Sequence, residues 1–287
     1  MLKVVTYALL VAMLMLCIAF RQLKFANHFT QETKMLKDLI LKFGKEKINT
    51  LTKYSSILTL HQLGEKGRLK NELTTPIENE LMYATEKIDG TNVRIVCFGN
   101  EYLVGAREFI LHHSQDLYFD NAQGIVDGLK SLNIQIPQTE SLTVIYGEFY
   151  GGKTTANSKW YGQDKNGFRV FDIAVYDDLS ILDLSQQEIS KWRERETENG
   201  IVYGQKFLTR SEMQNQFPHF EFVPLVEFEL GNLSHLTILE NLKKFLPFTN
   251  VALSENAIKK AEGIVLRNDN RSKIVKIRFE DYERSLK

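Results

Sequence analysis

Cysteine is scarce. Only Cys17 and Cys97 occur in 287 residues, far apart and both in apolar runs. Neither a disulfide framework nor a thiolate metal site is indicated, and a reduced, intracellular protein is the natural expectation. Net charge is lacking too, since 36 basic side chains balance 36 acidic ones. That excludes a chain that gathers nucleic acid by bulk charge, while leaving room for a local basic groove. Internal repeats and low-complexity segments are missing. Long apolar runs are missing as well, with one exception: Val4 to Phe20, interrupted only by Thr6 and Tyr7. This run is at the short limit for a membrane-spanning helix. Arg21 and Lys24 follow it without a small-residue cleavage site, so a cleaved signal peptide is not expected. Three readings stay open for residues 1–34: a membrane anchor through 4–20 that keeps the rest of the chain cytoplasmic, a non-native extension ahead of a start at Met35, or a buried core helix.

What is present is ordinary globular composition, 43% hydrophobic and 25% charged, in a length that suits one large domain or two small ones. Thr30 to Lys47 reads as one amphipathic helix, and residues 65–80 as a charged, proline-bearing loop. Val93–Phe98 and Glu101–Ala106 flank Gly99-Asn100, a hairpin signal. His112 and His113 are adjacent, so on a strand they point to opposite faces and would not share a metal. Further along, Asn121–Leu132 reads as a helix and Leu142–Phe149 as a buried strand. Gly151–Gly167 reads as a mobile, substrate-facing loop, and 168–176 as another strand. Ser185-Gln186-Gln187-Glu188 is a capping box that should start a helix running to Asn199-Gly200. Thr209-Arg210-Ser211-Glu212 starts a shorter one. Phe220–Phe228 reads as a strand and Ser234–Phe245 as a helix.

The chemistry concentrates around Thr85-Glu86-Lys87-Ile88-Asp89-Gly90-Thr91-Asn92. A lysine beside an Asp-Gly turn, just before a strand, is a reasonable place for a covalent nucleophile, and Gly90 allows close backbone approach to a phosphate. A free lysine has a pKa of about 10.4 and needs desolvation or neighbouring cations to become nucleophilic. Lys276 and Arg278, two residues apart on a strand, would point together into a cleft and lower the pKa of Lys87. Glu148 stands inside an apolar run, where an unpaired carboxylate is costly and should have a purpose.

Lys87-Ile88-Asp89-Gly90 resembles the first motif of the covalent nucleotidyltransferases, and Glu86 to Asn92 resembles the RNA ligase 2-like branch in particular. Asn92 stands where DNA ligases carry arginine. Asp89 stands where many members of the branch carry His. Further matches follow in order: Arg107; Glu148 in Tyr146 to Gly151; Phe171 in 168–176; Glu262 in Ala261 to Arg267; and Lys276 with Arg278 in Lys273 to Phe279, where the branch normally has lysine at the last position.

The resemblance, over residues 85–279, implies the adenylyltransferase (ATP-grasp-like DNA/RNA ligase) fold: an α+β domain, here residues 35–287, with two antiparallel sheets and flanking helices around an ATP cleft. With eight residues after Phe279, no C-terminal OB or helical domain is expected. It implies an ATP-dependent RNA ligase in which Lys87 forms a lysyl-AMP intermediate, with Lys276 and Arg278 on the α-phosphate. Glu86, Ile88, Asn92, Arg107, Glu148 and Phe171 would be nucleotide contacts, with Glu148 on the ribose and Phe171 on the base. Glu262 would be the ligand of Mg2+ or Mn2+. The implied partner is RNA with 5′-phosphate and 3′-hydroxyl ends, including nicked duplex. Rivals are a minimal DNA nick ligase, a capping guanylyltransferase, and an RNA-end-binding protein with impaired catalysis.

Overall fold

The computed structural model describes residues 35–77, 81–197 and 200–287. The apolar run at 4–20 lies outside them. Among the described residues, no helix is long and apolar enough to cross a membrane.

Residues 30–34 of the expected long first helix lie outside the described residues, and the rest is divided between two short ones, α1 (Leu36–Phe43) and α2 (Lys45–Thr52). Gly44 breaks them apart at φ 87° and ψ 147°, a conformation that costs glycine little and closes α1 with its N–H on Ile40 O. Then come β1 (Leu58–Thr59), β2 (His61–Leu63) and β3 (Leu69–Leu73). The stretch expected to be loop thus contains a strand, β3, whose central residues are exposed because it pairs only with β2. After it run β4 (Tyr83–Lys87), β5 (Thr91–Gly99), β6 (Glu101–Ala106) and β7 (Ile110–His113). The Gly99-Asn100 hairpin is present, with Phe98 opposite Glu101. His112 and His113 are both buried and structural, with the latter 3.6 Å from the Glu101 carboxylate.

The middle of the chain supplies α3 (Ile125–Ser131), β8 (Thr139–Gly151), β9 (Asn166–Tyr176) and α4 (Gln186–Arg193). Ser185 caps α4 in the expected box with Glu188. The helix ends six residues sooner than expected, and β10 (Glu194–Thr197) and β11 (Gly200–Tyr203) pair in its place. Next are β12 (Lys206–Phe207), α5 (Arg210–Gln216) with its own capping box from Thr209 and Glu212, β13 (Leu225–Val226) and α6 (His235–Phe245) capped by Ser234. The strand expected over 220–228 shrinks to β13. Pro224 has no N–H for a ladder, and its carbonyl instead accepts from Glu86 N. Last are β14 (Gly263–Arg267), β15 (Ile274–Arg278) and α7 (Phe279–Ser285).

These strands form the expected pair of sheets, a five-stranded one in the order β1-β15-β14-β4-β13 and a six-stranded one in the order β12-β9-β8-β5-β6-β7. Every pairing within them is antiparallel except β1 with β15, which is parallel. In the smaller sheet Ala84, Ile264, Leu266, Val275 and Ile277 face a core completed by α6 and Tyr282 of α7. In the larger sheet Val93, Ile95, Ile145 and Ile173 face α3 and α5, while Val96, Val144 and Ala174 face α1, α2 and α4. The other face of the smaller sheet and the part of the larger sheet around Asn92, Glu148 and Phe171 enclose a cleft.

Candidate active site

Strand register builds the cleft. Gly263 of β14 lies between Lys87 and Arg278, and Val265 lies between Thr85 and Lys276. Side chains opposite one another across a ladder share a face. Lys87, Lys276 and Arg278 therefore stand on one side of the smaller sheet. Gly263 is the only residue type that fits between them, because a Cβ there would meet Ile277 O at 2.0 Å and Arg278 Cα at 2.8 Å. The opposite wall comes from the larger sheet, where Asn92 pairs with Glu148. On β9, Val170 pairs with Gly147 and Asp172 with Tyr146, which leaves Phe171 as an extra residue in a bulge. Bulges redirect side chains, and this one turns Phe171 to the cleft between a buried Val170 and a buried Asp172.

The cavity holds about 400 Å3 and is lined by Glu86, Lys87, Ile88, Asn92, Arg107, Glu148, Phe171 and Lys276 among others. Glu262 joins them through Lys87, whose Nζ donates to Glu262 Oε2 at 2.7 Å. Two of the expected site residues are engaged by other groups of the chain. Glu86 borders the cavity, but it is buried and its carboxylate is held by Thr249 Oγ1 and, at 2.9 Å, by Asn250 N. Arg278 is the second. Its guanidinium is engaged by Asp281 through two bonds of 2.8 Å and by Glu280 at 2.9 Å, and it does not line the cavity. A lysine has too few directed donors for that grip, whereas the planar guanidinium matches a carboxylate edge-on.

The electrostatics also depart from expectation. Burial of the Lys87 amine pulls its pKa down, but the carboxylates of Glu262, Glu148 and Asp89 outweigh that and hold it above the ordinary lysine value. Lys276 moves the other way, lowered by burial and then by the charges of Arg278 and Lys87. Burial pushes the Glu148 carboxyl up to about 8, against the attraction of Lys87. Glu148 Oε1 accepts from Gly90 N at 3.1 Å, tying the wall of the larger sheet to the turn after Lys87.

Three supporting sets were not anticipated. First, Asp172 is fully buried and accepts from Arg267, from Arg271 Nε at 2.9 Å and from Tyr54 OH at 2.6 Å. Tyr54, Asp172 and Arg267 floor the cavity, and the Tyr54 ring meets Phe171 edge-on at 4.9 Å. Second, Arg94, buried within an apolar strand, donates to the carbonyls of Ala106 and Arg107 and to Asn49. It thereby fixes the backbone that presents Arg107. Third, the segment after β8 is a built structure. Asp89 N donates to Tyr161 OH at 2.7 Å, and Asn157 Nδ2 donates to the Asp89 carboxylate at 2.8 Å. A charge inside an apolar strand was the available signal for Asp172 and Arg94, as it was for Glu148.

A cleft between two mainly antiparallel sheets, with a lysine on one wall and an aromatic ring on the other, is the arrangement expected of a nucleotidyltransferase domain. The RNA ligase family model matches residues 80–287, and the chain belongs to that family. Among solved structures it is similar to Naegleria gruberi RNA ligase with PPi (17% identity, TM-score 0.45). It is likewise similar to mutants of that ligase with ATP and Mn (18%, 0.44) and with AMP and Mn (16%, 0.43). In each case 82% of this chain is covered, and the chain spans 58% of the length of the ligase it matches. None of the curated proteins matches the chain.

Proposed function

We propose that the chain is an ATP-dependent RNA ligase that joins 3′-hydroxyl and 5′-phosphate ends through Lys87. The observation that carries this reading is the placement of Lys87 Nζ on Glu262, at the edge of a cavity that also holds Lys276, Glu148 and Phe171. In the first step the Lys87 nitrogen, once deprotonated, attacks the α-phosphorus of ATP. An N–P bond forms, the bond to the bridging oxygen breaks, and pyrophosphate leaves. AMP then passes to the 5′-phosphate of an RNA end, and a 3′-hydroxyl displaces it to form the phosphodiester. Lys276 meets the charge that develops on the phosphate oxygens, Phe171 stacks on the base and Glu148 binds the ribose. Asn92 and Arg107 border the cavity on the larger-sheet side, suited to the RNA end. Among the described residues, Asn92 Oδ1 has no hydrogen-bond partner.

The Glu262 carboxylate is a hard oxygen donor of the kind Mg2+ or Mn2+ prefers. Among the described residues, no group of three or more His, Cys, Asp or Glu makes a protein-only metal cage. When bound, such an ion supplies neutralising charge at phosphorus and competes with the Lys87 ammonium for the carboxylate.

The test is incubation with α-labelled ATP and magnesium followed by a denaturing gel, with Lys87→Ala as control. A labelled band that depends on Lys87 is expected. Its absence, with GTP and manganese failing as well, overturns the reading. The engaged Arg278 favours one second reading, a protein that binds RNA ends with impaired catalysis. It predicts RNA binding without label.

A further inference from the structure

The chain as a whole carries no net charge, yet four exposed lysines gather beside the Lys87 turn. Two segments interlock there. Leu253 N donates to Tyr161 O at 2.7 Å, Ile258 N to Lys159 O at 3.0 Å, and Lys259 N to Trp160 O at 2.9 Å. These bonds bring Lys159 together with Lys259 and Lys260, and the Lys260 ammonium lies 4.7 Å from the centre of the Trp160 ring. Lys153 projects from the same loop as Lys159, and all four are exposed. The loop is fastened directly to the nucleophile's turn, because Asn157 and Thr155 hold the Asp89 carboxylate at 2.8 and 3.3 Å and Tyr161 OH accepts from Asp89 N.

We infer that Lys153, Lys159, Lys259 and Lys260 form a track for the phosphodiester backbone of the RNA flanking the end to be joined, an inference that rests on the ligase reading above. Lysines on long stems are point charges without a fixed fork. They suit a row of phosphates and carry no base-edge code, so binding here is independent of sequence. Their anchorage to the Asp89 turn sets the strand's position relative to Lys87.

The test compares the full chain with a variant carrying Lys→Gln at 153, 159, 259 and 260. A control variant carries Lys→Gln at Lys66, Lys70, Lys243 and Lys244, exposed lysines of the β2–β3 turn, β3 and α6 that belong to neither interlocked segment. Anisotropy of a fluorescent single-stranded RNA with a 5′-phosphate is measured without ATP and in EDTA, across a salt series. At about 0.7 per phosphate contact on a single strand, losing four contacts should make the slope of log affinity against log salt shallower by about 2 to 3. The control should keep the wild-type slope, and Lys87 labelling by ATP should persist in both variants. A wild-type slope in the 153/159/259/260 variant, an equal loss in the control, or no RNA binding by the wild type overturns the track. Failure of wild-type Lys87 labelling speaks instead against the ligase reading, because the binding series contains no ATP.

Discussion

Replacing Asp172 by Asn should cost more stability than any other single polar change near the cleft. The carboxylate is fully buried and is the shared acceptor of Arg267, Arg271 and Tyr54. Taking one partner from a buried ion cluster leaves the remaining charge uncompensated, at about 3–5 kcal/mol. At roughly 2–4 °C per kcal/mol for a protein of this size, the melting temperature should drop by about 6–20 °C. Removing all the charge together, as in Asp172→Leu with Arg267→Met and Arg271→Met, should recover most of that loss, because an apolar set of similar volume carries no desolvation cost. The pH dependence follows from the same contacts. Burial raises the Asp172 carboxyl, but the two guanidiniums outweigh it and hold the pKa below the ordinary value. A depressed folded pKa gives stability that is complete above the unfolded value of about 3.9 and is lost as pH falls through the folded one. Urea titrations from pH 8 downward should therefore show a constant gap between wild type and Asp172→Asn that closes only below about pH 4. A gap under about 1 kcal/mol at pH 7, or a triple variant no more stable than the single one, would refute the reasoning.

Other predictions concern the Lys87 turn and the buried thiol. A Cβ on Gly90 would lie 2.4 Å from Phe149 O and 2.9 Å from Tyr150 Cβ. Gly90→Ala should therefore displace the turn, destabilise by about 1–3 kcal/mol and abolish labelling by α-labelled ATP; retained labelling would show that the turn is not held as described. Glu148 is an acid whose folded pKa is raised, to about 8, so its contribution is full below an unfolded value of about 4.3 and falls as pH rises through 8. Urea midpoints of Glu148→Gln should accordingly decline less than wild type over that window, and parallel curves would contradict the assignment. Burial pushes the Cys97 thiol up to about 12. Mass spectrometry after alkylation at pH 8 should find that peptide modified only in denaturant.

Much of the site could be read from the chain because its residues fall in short local patterns. The Lys87-Ile88-Asp89-Gly90 turn, the Gly99-Asn100 hairpin and the caps at Ser185 and Thr209 each depend on neighbours within a few positions. What escaped depends on distant partners. Tyr54, Arg267 and Arg271 converge on Asp172 from segments about 100 residues away on either side. Period two placed Arg278 on the right face of β15, but its grip on Asp281 needs the helical turn of α7 that follows. Gly44 broke an otherwise continuous amphipathic pattern through its backbone angles, which the apolar spacing does not encode. The stretch 194–203 forms a hairpin in place of the tail of α4. A local helix signal marks where a helix begins better than where its neighbours will let it stop.

The parallel pairing of β1 with β15 matches Leu58 with Val275 and Thr59 with Lys276, partners separated by most of the chain. On a ribosome, α1, α2 and the hairpin of β5 and β6 can form from contiguous sequence while synthesis continues. The sheet bearing Lys87 cannot. Until β14 and β15 emerge, β4 lacks its β14 neighbour and β1 lacks its partner β15, so unsatisfied strand edges wait in the nascent chain. Pairings of such long range are slow to close and exposed to misassembly in the meantime. The cleft should thus be among the last features to form, and a chain interrupted before residue 274 would carry the nucleophile without the wall that supplies Lys276.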